Sequence, residues 1–279
     1  MPDLRLALCT SNTNDFDRVA TRVRGAHVEA CGEIAAVRDF DAVVCQDPSV
    51  VQPLLTRNVR VLLVAEPCPP RDVIESLFAE FGSRIVVENP DRYLPSRQLI
   101  RSQIPSAIGS PGLVRIHRWQ STASADCGGL PEPLVRDVDL ALWLTNTGPN
   151  RVYALQSKDP RYVQVHFGFA NGGMAIIDFD GRLPSGDGYQ SLSVIGATGA
   201  AYADDHQNTQ LVYNGGSPRA VRTEERTRQL AAMVQSFVDG VHANRETTSG
   251  AAEWCQVFAV TEAIRKSIDS RRAVTLEGR

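Results

Sequence analysis

Short apolar segments alternate with helical ones through the first part of this 279-residue sequence. Short apolar runs bounded by turns suit strands that are buried on both faces, and the segments between them carry apolar residues at helical spacing. This order predicts an open, doubly wound α/β sheet of parallel strands. The predicted strands are Leu4–Cys9, His27–Ala30, Ala42–Cys45, Val59–Val64 and Arg84–Val87, and the predicted helices are Asp15–Arg24, which Gly25 ends, and Asp72–Phe81.

After about residue 110, strands follow one another with turns between them, and two long helices close the chain. We therefore expect an α/β Rossmann-like domain at residues 1–110 and an α+β domain with a largely antiparallel open sheet at residues 111–279. The sequence leaves open whether the last helices pack back on the first domain. The predicted strands are Leu113–Ile116, Arg151–Gln156, Tyr162–Phe169, Met174–Phe179, Ser191–Ile195 and Gln210–Tyr213.

Charge and residue usage exclude several classes of function. The formal net charge is -3, basic residues are scattered, and no apolar run reaches the ~20 residues that cross a bilayer, so we expect no nucleic-acid or membrane partner and a cytoplasmic protein. The 5 histidines are too dispersed to predict a metal site. The 6 cysteines form no C-x-x-C pair, and Cys9, Cys31 and Cys45 are expected to be reduced packing residues.

The turn after the first strand is polar and has no glycine, since Ser11-Asn-Thr-Asn14 follows Thr10. A dinucleotide diphosphate needs close approach to the backbone and an open helix N-terminus, and these side chains crowd that approach. Asn14 or Asp15 is also placed to cap the helix with its own oxygen. Two interpretations stay open, namely a helix-capping turn and a hydroxyl-rich loop that contacts a ligand.

Several segments occur in an order that resembles the Gfo/Idh/MocA family of oxidoreductases. The resemblance covers nearly the whole chain, and it implies a domain that binds NAD or NADP, a substrate domain whose open sheet often mediates oligomers, and hydride transfer on sugars or polyols. The segments that carry the resemblance are Asp39–Cys45 with Pro48, Val61–Pro67, Asp91–Pro95, Ile108–Val114, Gly128–Gly129, Arg136–Leu144, Asn171–Ala175, Val194–Gly199 and Glu262–Ser267.

The catalytic motifs that the resemblance implies are all altered. The family's G-x-G-x-x-G is absent after the first strand, and its Glu-Lys-Pro reads Ala65-Glu66-Pro67 without the lysine. In the family's Asp-x-x-x-His motif, Glu132 takes the aspartate position and Arg136 the histidine position. An arginine keeps its proton at ordinary pH and cannot act as a general base. The alternative interpretation of Glu132 and Arg136 is an i,i+4 ion pair on a helix.

Three hypotheses about function follow. The first is a homologue that has lost dinucleotide binding and hydride transfer and that binds a small anionic or sugar-like ligand. Under this hypothesis we expect no cofactor. The second is a homo-oligomeric or partner-binding protein that uses the C-terminal sheet. The third is an active NAD- or NADP-dependent oxidoreductase with rearranged groups. The candidate cofactor contacts are Thr10, Ser11, Thr13 and Glu66, and the candidate ligand contacts are Arg92, Tyr93, Trp119, Arg136 and Asp139.

Overall fold

The computed structural model describes residues 4–9, 19–31, 39–57, 59–121, 129–184, 188–204, 209–213, 219–222, 226–243 and 250–276. The chain divides into two compact units. The first unit combines Met1–Leu94 with Glu225–Cys255, and the second combines Pro95–Glu224 with Gln256–Arg279. Among the described helices, none is long and apolar enough to cross a membrane.

A parallel five-stranded sheet forms the centre of the first unit, in the order β2-β1-β3-β4-β5. Every residue of β3 and β5 is buried, as expected for strands covered on both faces. The predicted Rossmann-like α/β class is confirmed. The strands are β1 (Leu4–Cys9), β2 (Ala26–Ala30), β3 (Ala42–Cys45), β4 (Arg60–Val64) and β5 (Ile85–Glu88).

Helices of the first unit pack apolar side chains against the sheet. The described helices are α1 (Val51–Leu55), α2 (Arg71–Phe81) and α5 (Arg226–His242). Alternate residues of β1, including Leu6 and Leu8, join Val234 and Phe237 of α5 in one buried apolar cluster. Because successive strand residues point to opposite faces, Cys9 projects from the other face of β1. The predicted helix at 15–24 lies largely outside the described residues, of which 19 and 20 are helical.

A mostly antiparallel sheet dominates the second unit, in the order β13-β12-β11-β10-β6-β9-β8-β7-β14. Its described exception is the parallel pair of β6 and β9. Buried and partly exposed residues alternate along β8 and β9, which is typical of a sheet with one covered face. The strands are β6 (Pro111–Gln120), β7 (Arg151–Gln156), β8 (Tyr162–Gly168), β9 (Met174–Asp180), β10 (Gly188–Gly196), β11 (Ala200–Asp204), β12 (Thr209–Tyr213), β13 (Arg219–Arg222) and β14 (Val274–Thr275).

Three further helices complete the described chain, namely α3 (Pro95–Gln103), α4 (Glu132–Thr145) and α6 (Ala251–Ser270). Helix α4 packs on β6 and β9 and buries nearly all of its residues. It ends where Asn146 turns into the left-handed region at φ 54° and its amide donates to the Leu142 carbonyl at 2.9 Å. Trp254, Val257 and Ile264 repeat at helical spacing along α6 and are buried.

The sequence did not predict the short strands β11, β13 and β14 or the helices α1 and α3. Strand β11 was missed because Ala200, Ala201 and Ala203 have low strand propensity. The strand forms because the preceding turn, in which the Gly196 amide donates to the Gly199 carbonyl at 2.8 Å, brings it back alongside β10. Long-range pairing therefore overrides local preference in this hairpin.

Candidate functional site

The carboxyl edge of the parallel sheet is the first candidate site. In open α/β sheets, ligands bind outside the carboxyl ends of the strands at the point where the strand order reverses, which in this order lies between β1 and β3. The last residues of these strands, Cys9 and Cys45, are register partners. The Cys31 amide donates to the Leu8 carbonyl at 2.9 Å, which places Cys31 on the other side of Cys9. Of the three thiol residues only Cys45 is fully buried, so the expectation of burial was wrong for Cys9 and Cys31.

Two carboxylates also follow strands at this edge. Asp47 accepts a hydrogen bond from the Ser49 amide at 2.8 Å, and hydrogen bonds from the Ser49 hydroxyl, followed by that amide, lower the pKa of the Asp47 carboxyl. Glu66 is half-buried and precedes a cis peptide bond to Pro67. Thiols are weak hydrogen-bond donors and carboxylates repel phosphate, so the described residues of this edge do not fit a dinucleotide diphosphate. The other predicted cofactor contacts, Thr10, Ser11 and Thr13, lie outside the described residues.

Arg92 and Tyr93, two predicted ligand contacts, belong to the first unit. The Arg92 Nη1 atom lies 2.7 Å from Glu253 Oε2, and the Arg92 side chain is buried. Burial, followed by the neighbouring Glu88 carboxylate, raises the pKa of the Tyr93 hydroxyl. The Tyr93 hydroxyl therefore keeps its proton at neutral pH and is a poor general base.

Glu132 and Arg136, which match the family's acid-base motif, form an ion pair on α4 in the second unit. Arg136 Nε lies 2.8 Å from Glu132 Oε1, and both side chains are buried. The alternative interpretation of this pair as an i,i+4 ion pair is confirmed. Glu132 also lies in the first turn of the helix, where the positive end of the helix dipole favours a negative charge.

A second buried ion pair, which the sequence did not predict, lies one residue further along α4. Arg118 of β6 donates from Nε to both carboxylate oxygens of Asp137 at 3.0 and 2.9 Å, and from Nη2 to Oδ1 at 2.7 Å. Gln190 of β10 adds a donor at 3.4 Å. Asp139 is also buried, and Arg97 of α3 is fully buried and donates to Ser96 Oγ at 3.0 Å. The covered face of this sheet therefore carries a buried ion pair between Arg118 and Asp137.

Trp119, the remaining predicted ligand contact, lies on the opposite face of the same sheet. Because Arg118 reaches α4, the next residue along β6 projects away from that helix. Trp119 is 40% exposed and its ring centroid is 5.1 Å from that of Tyr189. The structure therefore does not bring Trp119 together with Arg136, and the combined anion site expected from the sequence is not assembled within this unit.

His117 and Asp178 form a polar pair beside Trp119 on this open face. His117 Nδ1 lies 3.2 Å from Asp178 Oδ2, and this bond lowers the pKa of the Asp178 carboxyl. The two residues are register partners on β6 and β9, and Ser191 of β10 is the register partner of His117 on its other side. The sequence pattern could not have indicated this pair, because its members lie 61 positions apart.

Comparison with solved structures gives the fold a wider context. No protein-family profile matches the sequence, and no curated protein is significantly similar to it. An oxidoreductase from Agrobacterium radiobacter, solved in complex with NAD+, L-tartaric acid and magnesium, is similar with a TM-score of 0.78 at 15% identity, with 98% of each chain covered.

Two further solved structures are similar over almost their whole length. UDP-N-acetylglucosamine 3-dehydrogenase GnnA from Acidithiobacillus ferrooxidans has a TM-score of 0.77 at 17% identity, with 97% of this chain and 99% of that one covered. A putative myo-inositol dehydrogenase from Sinorhizobium meliloti 1021 has a TM-score of 0.74 at 17% identity, covering 98% and 100%. Identities this low show the fold alone, and the chain accordingly has the two-domain fold of the Gfo/Idh/MocA-type oxidoreductases.

Proposed function

We propose that this chain keeps the fold of a Gfo/Idh/MocA-type oxidoreductase without its hydride-transfer chemistry, and that it acts by binding a small molecule or a protein partner. The observation that carries the proposal is the buried ion pair between Glu132 and Arg136. These two residues match the motif in which the family has an aspartate and a histidine. Here they neutralise each other and stabilise helix α4.

The energetics of the pair oppose a role in proton transfer. Protonating Glu132 would remove the carboxylate that lies 2.8 Å from the buried Arg136 guanidinium, and breaking a buried ion pair costs about 3–5 kcal/mol. General acid-base catalysis contributes roughly 3–5 kcal/mol to lowering a barrier. A proton carrier at this position would therefore lose about as much as it could gain.

The scarcity of lysine supports the same conclusion. The whole sequence has only two lysines, Lys158 and Lys266. Lys158 is exposed in the turn after β7, and Lys266 Nζ is paired with Glu262 on the surface of α6 at 2.8 Å. In the family a lysine stabilises the charge that develops on the substrate oxygen, and neither of these two lies in the motif that would supply it. The carboxylate of Glu66 at that motif has the wrong sign for this task.

The open face of the nine-stranded sheet is the surface that we assign to a partner. It carries exposed apolar side chains at Trp119, Leu155, Met174 and Ile195. Exposed apolar groups that share one face favour association with another protein surface. A second copy of the chain is one such partner, as the resemblance implies.

One observation favours a second candidate function, which is an active oxidoreductase that depends on NAD or NADP. A solved structure with the same fold over 98% of its length was determined in complex with NAD+. Under this alternative the described edge of the parallel sheet would receive the dinucleotide together with residues outside the described ranges, and the acid-base group would come from elsewhere in the chain.

Titration with NADH and with NADPH, followed by nicotinamide fluorescence, distinguishes the two candidates. We expect no saturable signal up to millimolar dinucleotide, because the described edge offers thiols and carboxylates to the diphosphate. Saturation in the micromolar range would favour the oxidoreductase and contradict the proposal. A known NAD-dependent dehydrogenase, titrated in the same buffer, controls for the sensitivity of the signal.

Light scattering tests the partner surface separately. We expect the purified chain to be larger than a monomer and Met174→Glu to shift it toward the monomer, because the charge replaces an apolar contact at an exposed position. Lys158→Gln lowers the net charge by the same one unit at an exposed position in a turn and should leave the size unchanged. A monomeric wild-type chain that captures no second protein would remove this part of the proposal.

A further inference from the structure

Three cysteines that are far apart in sequence meet at one level of the parallel sheet. Cys9 and Cys45 end neighbouring strands and are register partners. On the other side of Cys9, β2 lies beside β1, and Leu8 and Ala30 are register partners. Cys31 directly follows Ala30, and its amide donates to the Leu8 carbonyl. The order across the edge of the sheet is therefore Cys31, Cys9, Cys45.

The three side chains leave the sheet on the same face. Leu8 of β1, Val28 of β2 and Val44 of β3 all pack on the apolar cluster with α5, so the neighbouring cysteines project from the opposite face. Adjacent strands lie about 4.8 Å apart, which is within the Cα separation of about 4.4–6.8 Å that a disulfide spans. Each neighbouring pair of cysteines in this row is thus close enough to be joined.

Exposure distinguishes the two pairs that share Cys9. Cys31 and Cys9 are both partly exposed, whereas Cys45 is fully buried. An oxidant in solution therefore reaches the first pair and not the second. Among the described residues, no group of three or more His, Cys, Asp and Glu side chains could hold a metal ion.

We propose that Cys9 and Cys31 are the site of a reversible disulfide that joins the carboxyl ends of β1 and β2. The oxidant is a low-molecular-weight disulfide of the glutathione class. The Cys31 thiolate attacks one sulfur of that disulfide and releases one thiol, and Cys9 then attacks the Cys31 sulfur and releases the second thiol. The two protein thiols lose two electrons and two protons, and the small disulfide becomes two thiols.

The environment of the thiols sets the rate of this exchange. Burial, followed by the neighbouring Cys31, raises the pKa of Cys9 to about 11. Burial, followed by Glu29, also raises the pKa of Cys31. The attacking thiolate is scarce at neutral pH, so the exchange is slow there. While the pH is below the thiol pKa, each increase of one pH unit should raise the rate of exchange about tenfold.

The test uses the full chain, reduced and then equilibrated with mixtures of oxidised and reduced glutathione. After trapping of free thiols and digestion without reductant, mass spectrometry should find one linked peptide pair that contains Cys9 and Cys31. The linked pair should disappear when reduced glutathione is in excess. Its rate of formation should rise with pH as stated above.

Variants separate this bond from ordinary thiol oxidation. Cys31→Ser should abolish the linked pair, Cys45→Ala should leave it unchanged, and Cys255→Ser removes an exposed thiol of α6 as a matched control without effect on the link. A link between Cys9 and Cys45, a glutathione adduct that persists on Cys31, or an unlinked chain under conditions that modify Cys255 would each overturn the proposal.

Discussion

The ion pairs on the two faces of the nine-stranded sheet differ in their exposure to water. On the covered face, Arg118 and Asp137 form a bidentate pair in which the Asp137 side chain is 0% exposed. On the open face, His117 and Asp178 are paired with partial access to water, next to the exposed ring of Trp119. Residues 117 and 118 are neighbours on β6, so this contrast arises from strand alternation alone.

Under the proposed function, the contrast explains how residues can match a motif without carrying out its chemistry. A charge on the covered face must be neutralised by a fixed partner, because its desolvation is expensive when it is unpaired. Such a partner fixes the protonation state and leaves no free base. Groups on the open face keep solvent contact and stay available for binding.

Removing Arg118 should have the largest effect. Arg118→Met leaves the fully buried Asp137 carboxylate without its cation and should lower the free energy of unfolding by about 3–5 kcal/mol, measured by urea denaturation. The double variant Arg118→Met with Asp137→Leu should recover most of this loss, because the carboxylate that lost its cation is then removed as well. A loss below about 1 kcal/mol for Arg118→Met would show that the covered face tolerates an unpaired charge.

Breaking the pair on α4 should cost less. Arg136→Leu should lower the free energy of unfolding by about 2–3 kcal/mol, since the helix N-terminus partly stabilises the Glu132 carboxylate that remains. The matched variant Arg136→His, which restores the family's residue type, should also destabilise the chain and should produce no hydride transfer with NAD or NADP. Turnover in Arg136→His would mean that this one residue had removed the activity.

Acid titration should expose the pair on the open face. The pKa of Asp178 is lowered, first by its bond from His117, so its stabilisation is fully present above the unfolded value of 3.8 and is lost as the pH falls below it. Asp178→Asn should therefore flatten the fall in stability below about pH 4, by about 1 kcal/mol or less. Asp269→Asn, an exposed change on α6, is the control, and equal acid curves for Asp178→Asn and the wild type would contradict this.

The smallest effect is expected at an exposed ion pair. Lys266→Gln removes the i,i+4 partner of Glu262 on the outer surface of α6 and should cost about 0.3–0.5 kcal/mol at low salt. The cost should vanish at high salt, because exposed charges are screened. Thermal unfolding at two salt concentrations checks this, and a loss as large as that of Arg136→Leu would remove the distinction between buried and exposed pairs.

Local patterns predicted the parts of the fold that local forces determine. The strands Leu4–Cys9, Ala42–Cys45 and Arg151–Gln156 match their predicted bounds, because each is a run of strand-forming residues between turn signals. Strand β11 escaped because its alanines carry no such signal, and only its pairing with β10 specifies it. Sheet order could not be read from the sequence for the same reason.

In the candidate site, too, contacts set by local spacing were predictable and contacts set by long-range pairing were not. The pair of Glu132 and Arg136 was predictable because four-residue spacing places both on one helix face. Arg118 was not predicted as a site residue. It follows Val114 and Ile116 at every second position of β6, so its side chain lies on the same buried face as theirs. Its partner lies 19 residues away on another element. The row of cysteines likewise depends on the register of three strands.

Hydride transfer is the activity whose absence the account asserts. The most direct measurement follows the nicotinamide absorbance while the unmodified chain is incubated with NAD or NADP and a panel of sugars, polyols and hydroxy acids. The account predicts no change above that of the heat-inactivated chain, because Arg136 and Glu132 neutralise each other on α4. Saturable reduction of either dinucleotide by any of these compounds would contradict it.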